Sequence, residues 1–180
     1  MPELPLTLPG EDRAFGGNNL LVDLVPKTAW FTNVRSQVSR ADWDLLRKHI
    51  YARAGHRCEV CGATGRLEAH ERWDYFRNVQ TLKRLIALCP ACHEATHFGF
   101  AQMRGRDREA LAHLVRVNSW SRIQALDHVD RAFLLWAERS KQKWSIDLGI
   151  LLAVGIKVKG LPTAAEREEI VGEVLREENS

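Results

Sequence analysis

The spacing of apolar residues changes several times along the chain, and each change marks a predicted element. Over residues 41–54 the apolar positions recur every three to four residues, which predicts an amphipathic helix. Ser39 and Asp42 form a capping-box pattern at the start of this helix, and Gly55 is a candidate C-cap at its end. The helix is therefore expected to lead directly to the cysteine at position 58.

Short apolar stretches on both sides of this helix are typical of β-strands. Pro90 follows the last of them and favours the first turn of another helix. The first 19 residues contain three prolines and three glycines, which predicts a loop or a loose arm. The predicted strands are residues 20–25 paired with 28–34, residues 67–70 and 73–76 on either side of a turn, and residues 82–88.

The second half of the chain has a mainly helical pattern. Residues 107–117 have amphipathic spacing, and so does a longer stretch that is capped at Asn118 or Ser119 and runs to about Gln142. Residues 144–158 are apolar and interrupted by glycine, which agrees with either a strand or a short buried helix. A capping-box pattern at residues 163–166 predicts a charged terminal helix that runs to about residue 177.

These elements predict an α+β fold in a single, mostly helical domain. Its expected parts are a flexible N-terminal arm (residues 1–19), a β/α zinc-binding module (residues 20–105) and a helical region packed on that module (residues 106–180). The N-terminus has no signal-peptide pattern, and the longest apolar stretch is too short to span a bilayer. We therefore expect a cytoplasmic protein without a membrane partner.

Positive charge is concentrated in the part of the chain that holds the cysteines. Residues 35–108 include 14 lysines and arginines and 8 acidic residues, whereas the whole chain has a net charge of only +3. A basic surface favours a polyanionic partner such as nucleic acid. A solvated charged face would give the same pattern, so charge alone does not decide between them.

All four cysteines lie in two C-x2-C pairs, Cys58 with Cys61 and Cys89 with Cys92. Paired cysteines at this spacing are typical ligands of a tetrahedral structural zinc ion, and a reducing compartment favours zinc over disulfides. The sequence therefore predicts one Zn²⁺ held by these four thiolates. 

Three histidines lie close to the cysteines in sequence. His70 lies between the two pairs, His93 directly follows the second pair, and His97 lies four residues further along the predicted helix. Side chains at positions i and i+4 share one helix face, so His93 and His97 are candidate ligands of a second metal ion.

The segment from Cys58 to His97 resembles the four-cysteine HNH endonucleases, on its two cysteine pairs and these three histidines. The resemblance covers about forty of the 180 residues. It implies a treble-clef (ββα-metal) module in which a zinc-stapled hairpin and helix hold a catalytic divalent ion such as Mg²⁺, Mn²⁺ or Ni²⁺. It also implies that His70 is the general base, that His93 and His97 bind the catalytic metal, and that the chain hydrolyses nucleic-acid phosphodiester bonds, with DNA as the expected substrate.

Two positions differ from the family's pattern. Ala69 stands where the family usually has a further metal ligand. If the family's motif is shifted by one residue along this sequence, His70 becomes a metal ligand and Glu71 takes the position of the base. Arg84 stands where the family has its central asparagine, and an arginine there could clamp a phosphate but could not bind a metal.

Basic and aromatic residues follow His70 and suggest a nucleic-acid surface. The predicted contacts are Arg72, Arg77 and Lys83, and the aromatic residues among them could stack on bases or simply pack in the core. Two other functions agree with the same sequence. One is a treble-clef zinc protein that binds nucleic acid without cutting it, and the other is a zinc protein whose C-terminal helices bind a protein partner.

Overall fold

The computed structural model describes residues 4–30 and 33–160, and these residues adopt a mixed α+β fold. Within these ranges there are seven α-helices, a three-stranded sheet and one 3-10 turn at Lys27–Ala29. The helices are α1 (Val34–Gln37), α2 (Arg40–Arg53), α3 (Pro90–Thr96), α4 (Phe98–Met103), α5 (Asp107–Asn118), α6 (Arg122–Arg139) and α7 (Gly149–Leu152). The strands are β1 (Glu68–Phe76), β2 (Val79–Leu88) and β3 (Ser145–Asp147).

A long antiparallel hairpin of β1 and β2 forms the centre of the fold, and β3 adds to β2 in parallel. The two-residue turn of the β1–β2 hairpin is Arg77–Asn78, and these residues have positive φ angles of 47° and 60°. Such angles match the right-handed twist of the two strands in a type I′ turn, and asparagine tolerates them well. The turn sets the register beside it, with Phe76 opposite Val79, and a one-residue register shift between Arg72 and Trp73 then places Arg72 opposite Arg84 and His70 opposite Ile86.

The hairpin has an apolar layer on each face, because neighbouring strand residues point to opposite sides. On one face, Ile86 and Leu88 pack with residues of α3, α5 and α6, including Leu111, Leu114 and Val129. On the other face the core combines residues of β1 and β2 with residues of α1, α2 and α7. These residues include Trp73, Leu82, Leu85, Leu46, Ile50 and Ile150. Each strand residue is therefore assigned to one of two separate environments.

One strand replaces the two short strands and intervening turn that the sequence predicts over residues 67–76. β1 continues through this region and has only a bulge between Arg72 and Trp73. The predicted turn is wrong because the charged residues there have partners inside the fold. The Glu71 carboxylate accepts a hydrogen bond from the Val34 backbone N–H, and the Arg72 guanidinium donates to backbone carbonyls of Phe15, Gly17 and Asn19.

The predicted strand at residues 20–25 is wrong, since this segment has no regular secondary structure and pairs with no strand of the described chain. Side chains and a carbonyl at the C-terminal end of α3 satisfy its backbone instead. Asn118 accepts from the Leu20 N–H and donates to its carbonyl, His128 accepts from the Val22 N–H, and the Thr96 carbonyl accepts from the Asp23 N–H. The predicted partner strand at 28–34 is also wrong, since its described residues lie in the 3-10 turn and at the start of α1.

The segment before Leu20, predicted to be a loose arm, is anchored to the fold over its described part. Leu8 is 1% exposed, and the Glu11 carboxylate forms a fully buried ion pair with Arg53 of α2 at 2.7 Å. Burial alone would raise the pKa of Glu11, but the hydrogen bonds and charge of Arg53 outweigh it and lower that pKa. The buried Leu8 side chain and the Glu11–Arg53 ion pair thus attach the segment to the core.

The predicted helices at residues 41–54 and 107–117, the helix start at Pro90 and the strand at residues 82–88 are confirmed with small changes of boundary. The long second-half helix begins later than predicted, because Ser121 caps it through a capping box with Gln124 and Ser119 instead ends α5 in the left-handed conformation. Residues 144–158 contain both of the predicted alternatives, β3 and then α7.

The predicted terminal helix at residues 163–177 lies outside the described residues. In the described ranges, no helix combines the length and the apolar character that crossing a membrane requires. The helical region α5–α6 shares one apolar cluster with Cys58, Cys89 and Cys92, so it packs directly on the cysteine-bearing part of the chain.

Candidate metal centre

The four cysteines converge at the end of the hairpin that lies away from its turn. Cys58 and Cys61 lie in the loop between α2 and β1, while Cys89 directly follows β2 at the N-cap of α3 and Cys92 lies in the first turn of α3. Their sulfur atoms all lie within 4.8 Å of one another, and Cys61 Sγ and Cys89 Sγ are 3.6 Å apart. Four sulfurs at about 2.3 Å from one ion form a tetrahedron with edges of about 3.8 Å. The cluster could therefore hold a metal ion such as zinc.

A tight turn in the first cysteine loop directs its two sulfurs to the same point. The Cys58 N–H donates to the Ala63 carbonyl, and the Gly62 N–H donates to the Cys58 carbonyl. Gly62 has φ of +74°, a conformation that glycine adopts without strain. The Glu59 backbone and carboxylate both bond to Ala87 of β2, so the loop is attached to the strand that carries the second cysteine pair.

The chemistry of the thiols also agrees with a bound cation. A hydrogen bond from the Cys92 thiol lowers the pKa of Cys58, and the same interaction together with burial raises the pKa of Cys92. One thiolate therefore forms readily, while a second beside it is opposed by charge repulsion. Four thiolates at this separation require a positive ion between them, which is what a Zn²⁺ ion supplies.

His113 of α5 contacts the cysteine cluster from outside. Its Nε2 lies 3.1 Å from Cys92 Sγ, and its Nδ1 lies 2.7 Å from an Arg116 guanidinium nitrogen. The arginine can only donate, so Nδ1 accepts and Nε2 carries the proton toward the sulfur. A hydrogen bond to a ligating thiolate reduces its excess charge and holds its side chain in place.

We expect His113→Ala to weaken metal retention by the cysteine cluster about 10- to 100-fold, because outer contacts of this kind contribute that much to metal affinity. Competition with a chromophoric chelator measures the retention directly. His56→Asn is the matched control, since His56 is exposed and its φ of 54° suits asparagine. Equal metal retention by His113→Ala and the control would show that the contact has no such role.

Three histidines form a second cluster beside the first. His70 lies on β1, His93 lies within α3, and His97 lies where α3 ends and α4 begins. One candidate ligand atom from each lies within 4.8 Å of the other two, and the ring centroids are 4.7 to 5.3 Å apart. The predicted convergence of these three residues is thus seen in the geometry.

His70 is buried without a hydrogen-bond partner for either ring nitrogen. Its side chain is at the base of the cluster, the whole residue is 4% exposed, and both nitrogens lack a partner in the described structure. Leaving buried polar atoms unpaired costs free energy, typically about 1–3 kcal/mol for each. A metal ion between the three rings would remove this cost for the nitrogen that faces His93 and His97.

Burial also keeps the inner histidines neutral. Desolvation lowers the pKa of His70 well below its ordinary value, and the charges of His97 and His93 lower it further. Desolvation likewise lowers the pKa of His97 to about 4, with a smaller contribution from His93. Only a neutral imidazole has a lone pair for a metal, so the environment favours the form that can be a ligand.

The third histidine is held by a carboxylate. Glu68 Oε2 lies 2.6 Å from His93 Nδ1, and Glu68 Oε1 lies 2.8 Å from an Arg66 guanidinium nitrogen. A carboxylate on Nδ1 orients the imidazole and leaves Nε2 available to a metal, the usual arrangement behind a metal-binding histidine. Glu68 lies two residues before His70 and therefore on the same face of β1, so strand alternation alone could have indicated it.

Acid should destabilise the fold through His97, in protein without a metal at the histidines. The unfolded chain binds a proton near pH 6.5, whereas folded His97 binds one only near pH 4, so stability decreases as pH falls through this window. From pH 7.5 to pH 5, we expect the unfolding free energy of the wild type to fall by about 2 kcal/mol more than that of His97→Gln.

Urea unfolding of both proteins at each pH gives this difference, and it cancels acid effects that the two proteins share. A difference that stays constant between pH 7.5 and pH 5 would contradict a depressed His97 pKa.

The structure does not bring Glu71 to the histidines. Glu71 follows His70 on β1 and so points to the opposite face, where burial raises the pKa of its carboxyl group and the Val34 N–H donates to it at 3.0 Å. Arg84 shares the face of His70 but is 5% exposed and forms an ion pair with Glu59 at 3.1 Å. Both residues thus have structural contacts at these positions.

The predicted nucleic-acid contacts are also dispersed. Arg72 is 7% exposed and donates to three backbone carbonyls, so its guanidinium is occupied within the fold. Arg77 lies in the hairpin turn over the ring of Phe76, seven residues along the strand from His70, which corresponds to roughly 23 Å. Lys83 lies partly buried in the middle of β2. The three residues do not form one surface beside the histidines.

Comparison with known proteins does not assign this chain to a family. No family model matches the sequence, and neither a curated protein nor a solved structure matches the chain. Any functional assignment therefore rests on the two clusters and on the surface around them.

Proposed function

We propose that the chain is a metal-dependent nuclease of the HNH type, which hydrolyses phosphodiester bonds in nucleic acid, with DNA as the first substrate to test. The observation that carries this proposal is the histidine cluster. Three imidazoles from a strand and a helix converge beside a four-cysteine cluster, and the most buried of them has no hydrogen-bond partner in the described structure. A closed structural site does not need such a second group of donors.

The order of elements supports a treble-clef assignment for this module. A loop with the first cysteine pair precedes a β-hairpin, and the second pair lies at the start of the helix that follows. The same hairpin and helix carry His70, His93 and His97. A single ion at the cysteines would therefore hold both elements in the positions that bring the histidines together.

We assign His70, His93 and His97 together as ligands of a catalytic divalent ion. His70 was expected to be the general base, but burial lowers its pKa well below the ordinary value. A base with so low a pKa takes up a proton weakly at neutral pH, whereas a neutral buried imidazole is a good metal ligand. Glu71 cannot replace it, because its carboxylate points to the other face of β1.

When bound, such an ion would supply Lewis-acid stabilisation of the phosphate and lower the pKa of a coordinated water. The residues of the chain would hold this ion in place and orient its ligands. Three protein nitrogens leave coordination positions open for substrate and water, and Glu68 holds the His93 ring in the orientation that ligation requires.

The donor set also indicates which ions to test first. Imidazole nitrogens suit Zn²⁺, Ni²⁺ and other late transition metals, whereas Mg²⁺ prefers oxygen ligands. The three-atom set at the histidines contains nitrogen only. We therefore expect Ni²⁺, Co²⁺ or Zn²⁺ to support activity better than Mg²⁺, which narrows the range of ions expected from the sequence.

The direct test is to incubate purified zinc-loaded protein with supercoiled plasmid and one added divalent ion at a time. We expect nicked and linear products with Ni²⁺, Co²⁺ or Zn²⁺ and much less with Mg²⁺, all at neutral pH. A preparation of His97→Ala made in the same way excludes a contaminating nuclease. If no ion yields a cut product on DNA or on RNA, the nuclease assignment is rejected.

A zinc protein that binds nucleic acid without cutting it is the second candidate. The observation in its favour is that Ala69, Glu71 and Arg84 provide no oxygen ligand or base at the histidines. It predicts salt-sensitive binding that does not depend on a second metal, with no product in the plasmid assay. A protein partner of the C-terminal helices stays a prediction.

A further inference from the structure

A large open groove lies on the surface directly beside the histidine cluster. It has a volume of about 1090 Å³, and its lining comes from α1, α2, the loop before β1, the start of β1 and the region after α7. Small-molecule pockets usually measure about 300–1,000 Å³, so this groove is larger than most of them. Its size and openness suit a length of polymer better than a small molecule.

Positive charge dominates the groove. Five cationic side chains and two acidic ones line it, namely Arg35, Arg40, Arg47, Arg66 and Lys159 against Asp44 and Glu68. The two acidic residues are already paired, Asp44 with Arg47 at 2.7 Å and Glu68 with Arg66 at 2.8 Å. Arg35, Arg40 and Lys159 are exposed and have no ion pair within the described ranges, so a polyanion would find three available charges.

Two aromatic side chains lie among these cations. Trp43 and Tyr51 are half-buried on α2, where they pack against the core and also line the groove. Aromatic faces beside a cationic track are the combination that binds single-stranded nucleic acid, because unpaired bases stack on the rings while the phosphates meet the cations. Paired bases in a duplex cannot stack in this way without being separated.

The groove opens onto the candidate catalytic residues. Glu68, Ala69 and His93 form part of its lining, and His93 is in ring contact with His70 and His97. A strand that follows the cations would thus bring a phosphate to the three imidazoles.

We propose that this groove is the nucleic-acid site of the protein and that it takes a single-stranded segment. Arg35, Arg40 and Lys159 would contact the phosphates, and Trp43 and Tyr51 would stack on the bases. The location of the scissile phosphate at the histidines rests on the proposed nuclease function, but binding in the groove does not. The predicted contacts Arg72, Arg77 and Lys83 are not part of it.

The test measures binding of a fluorescently labelled 12-nucleotide single strand by anisotropy. The protein carries its cysteine-bound zinc and no other added divalent ion, so that cleavage does not interfere. We expect Arg35→Gln/Arg40→Gln/Lys159→Gln to lose about a hundredfold in affinity at 0.1 M salt. Its salt-dependence slope should decrease by about 2, since each phosphate contact to a single strand contributes about 0.7.

A triple variant at other cations is the matched control. Arg77→Gln/Lys83→Gln/Arg122→Gln removes the same charge away from the groove and should lose less than threefold. The groove assignment is overturned if the groove variant loses no more affinity than this control. Tighter binding of the corresponding duplex than of the single strand would overturn the single-strand assignment.

The outcomes also separate this proposal from the nuclease proposal. Groove-dependent binding without a metal-dependent cut would keep the groove and reject the nuclease. Plasmid cleavage by a wild type whose oligonucleotide binding does not depend on the three cations would keep the nuclease and reject the groove.

Discussion

We expect the four-cysteine cluster to hold a zinc ion whose removal abolishes the cooperative fold of this protein. Structural zinc sites contribute roughly 10–16 kcal/mol of apparent binding free energy at pH 7, which is comparable to the entire stability of a typical domain. Here the cluster is also part of the core, since Cys58, Cys89 and Cys92 are buried among residues such as Leu111 and Leu114. Metal loss would leave buried thiols in this core and weaken the attachment of α5 and α6 to the cysteine-bearing part of the chain.

The effect should extend to the histidine cluster. Cys89 and Cys92 hold the first turn of α3, and the same helix continues to His93 and ends at His97. A helix of seven residues is too short to be stable by itself, so its position depends on the attachment at its first turn. Metal removal should therefore disrupt the histidine cluster, the second candidate metal site, as well as the apolar core.

Thermal unfolding followed by circular dichroism tests this expectation, with and without a strong chelator and under reducing conditions. We expect the chelated protein to lose its sharp transition and to regain it when Zn²⁺ is added back. Cys92→Ser should have the same effect, whereas Cys61→Ser at the exposed position should retain part of the transition. A chelated protein that melts within 5 °C of the untreated one would show that the cluster is not structural, since about 1 kcal/mol alone shifts Tm by several degrees.

Substitution of the inner histidines is expected to have the largest effect on activity. On the proposed nuclease function, His70→Ala and His97→Ala should each reduce metal-dependent cleavage by at least about a thousandfold, because each removes one of the three imidazoles that we propose as ligands of the catalytic ion. Neither substitution should prevent folding. His70 carries two unpaired buried nitrogens in the described structure, so replacing it removes an unfavourable polar burial together with some packing.

Glu68→Gln separates orientation from ligation in the same experiment. Glutamine retains a hydrogen bond to His93 but loses the negative charge, so we expect a decrease of about 10- to 100-fold in the apparent affinity for the activating ion. Cleavage at saturating metal should be much less affected. His56→Asn is again the control and should cut like the wild type, and equal cutting by His70→Ala would reject the assigned site.

The elements that could be predicted from sequence are those that local pattern alone determines. The helix now seen as α2 has apolar residues on one face, a serine cap and a glycine with φ of +60° directly after its C-cap, all of which act within a few residues. The C-x2-C pairs likewise limit their sulfurs to a short turn and a first helical turn. Such features need no information from the remainder of the chain.

Other predictions failed where distant partners replace local ones. The apolar segment at residues 20–25 has a strand-like pattern, but side chains about a hundred residues away, Asn118 and His128, bond to its backbone. The sequence also predicted a turn at residues 71–72, but these residues continue β1, and backbone groups from two other segments satisfy Glu71 and Arg72 inside the fold. Sequence periodicity contains no information on such partners.

For the candidate site, the sequence by itself determined which residues could be metal ligands, because C-x2-C spacing and a helical His-x3-His are local geometry. Only the tertiary structure decided which side chains accompany them. Strand alternation turned Glu71 away and brought Glu68 to His93, and the packing of α1 and α2 beside β1 assembled a cationic groove from residues as far apart as Arg35 and Lys159. Burial then lowered the pKa of His70, which favours a ligand over a base, and burial depends on the whole fold.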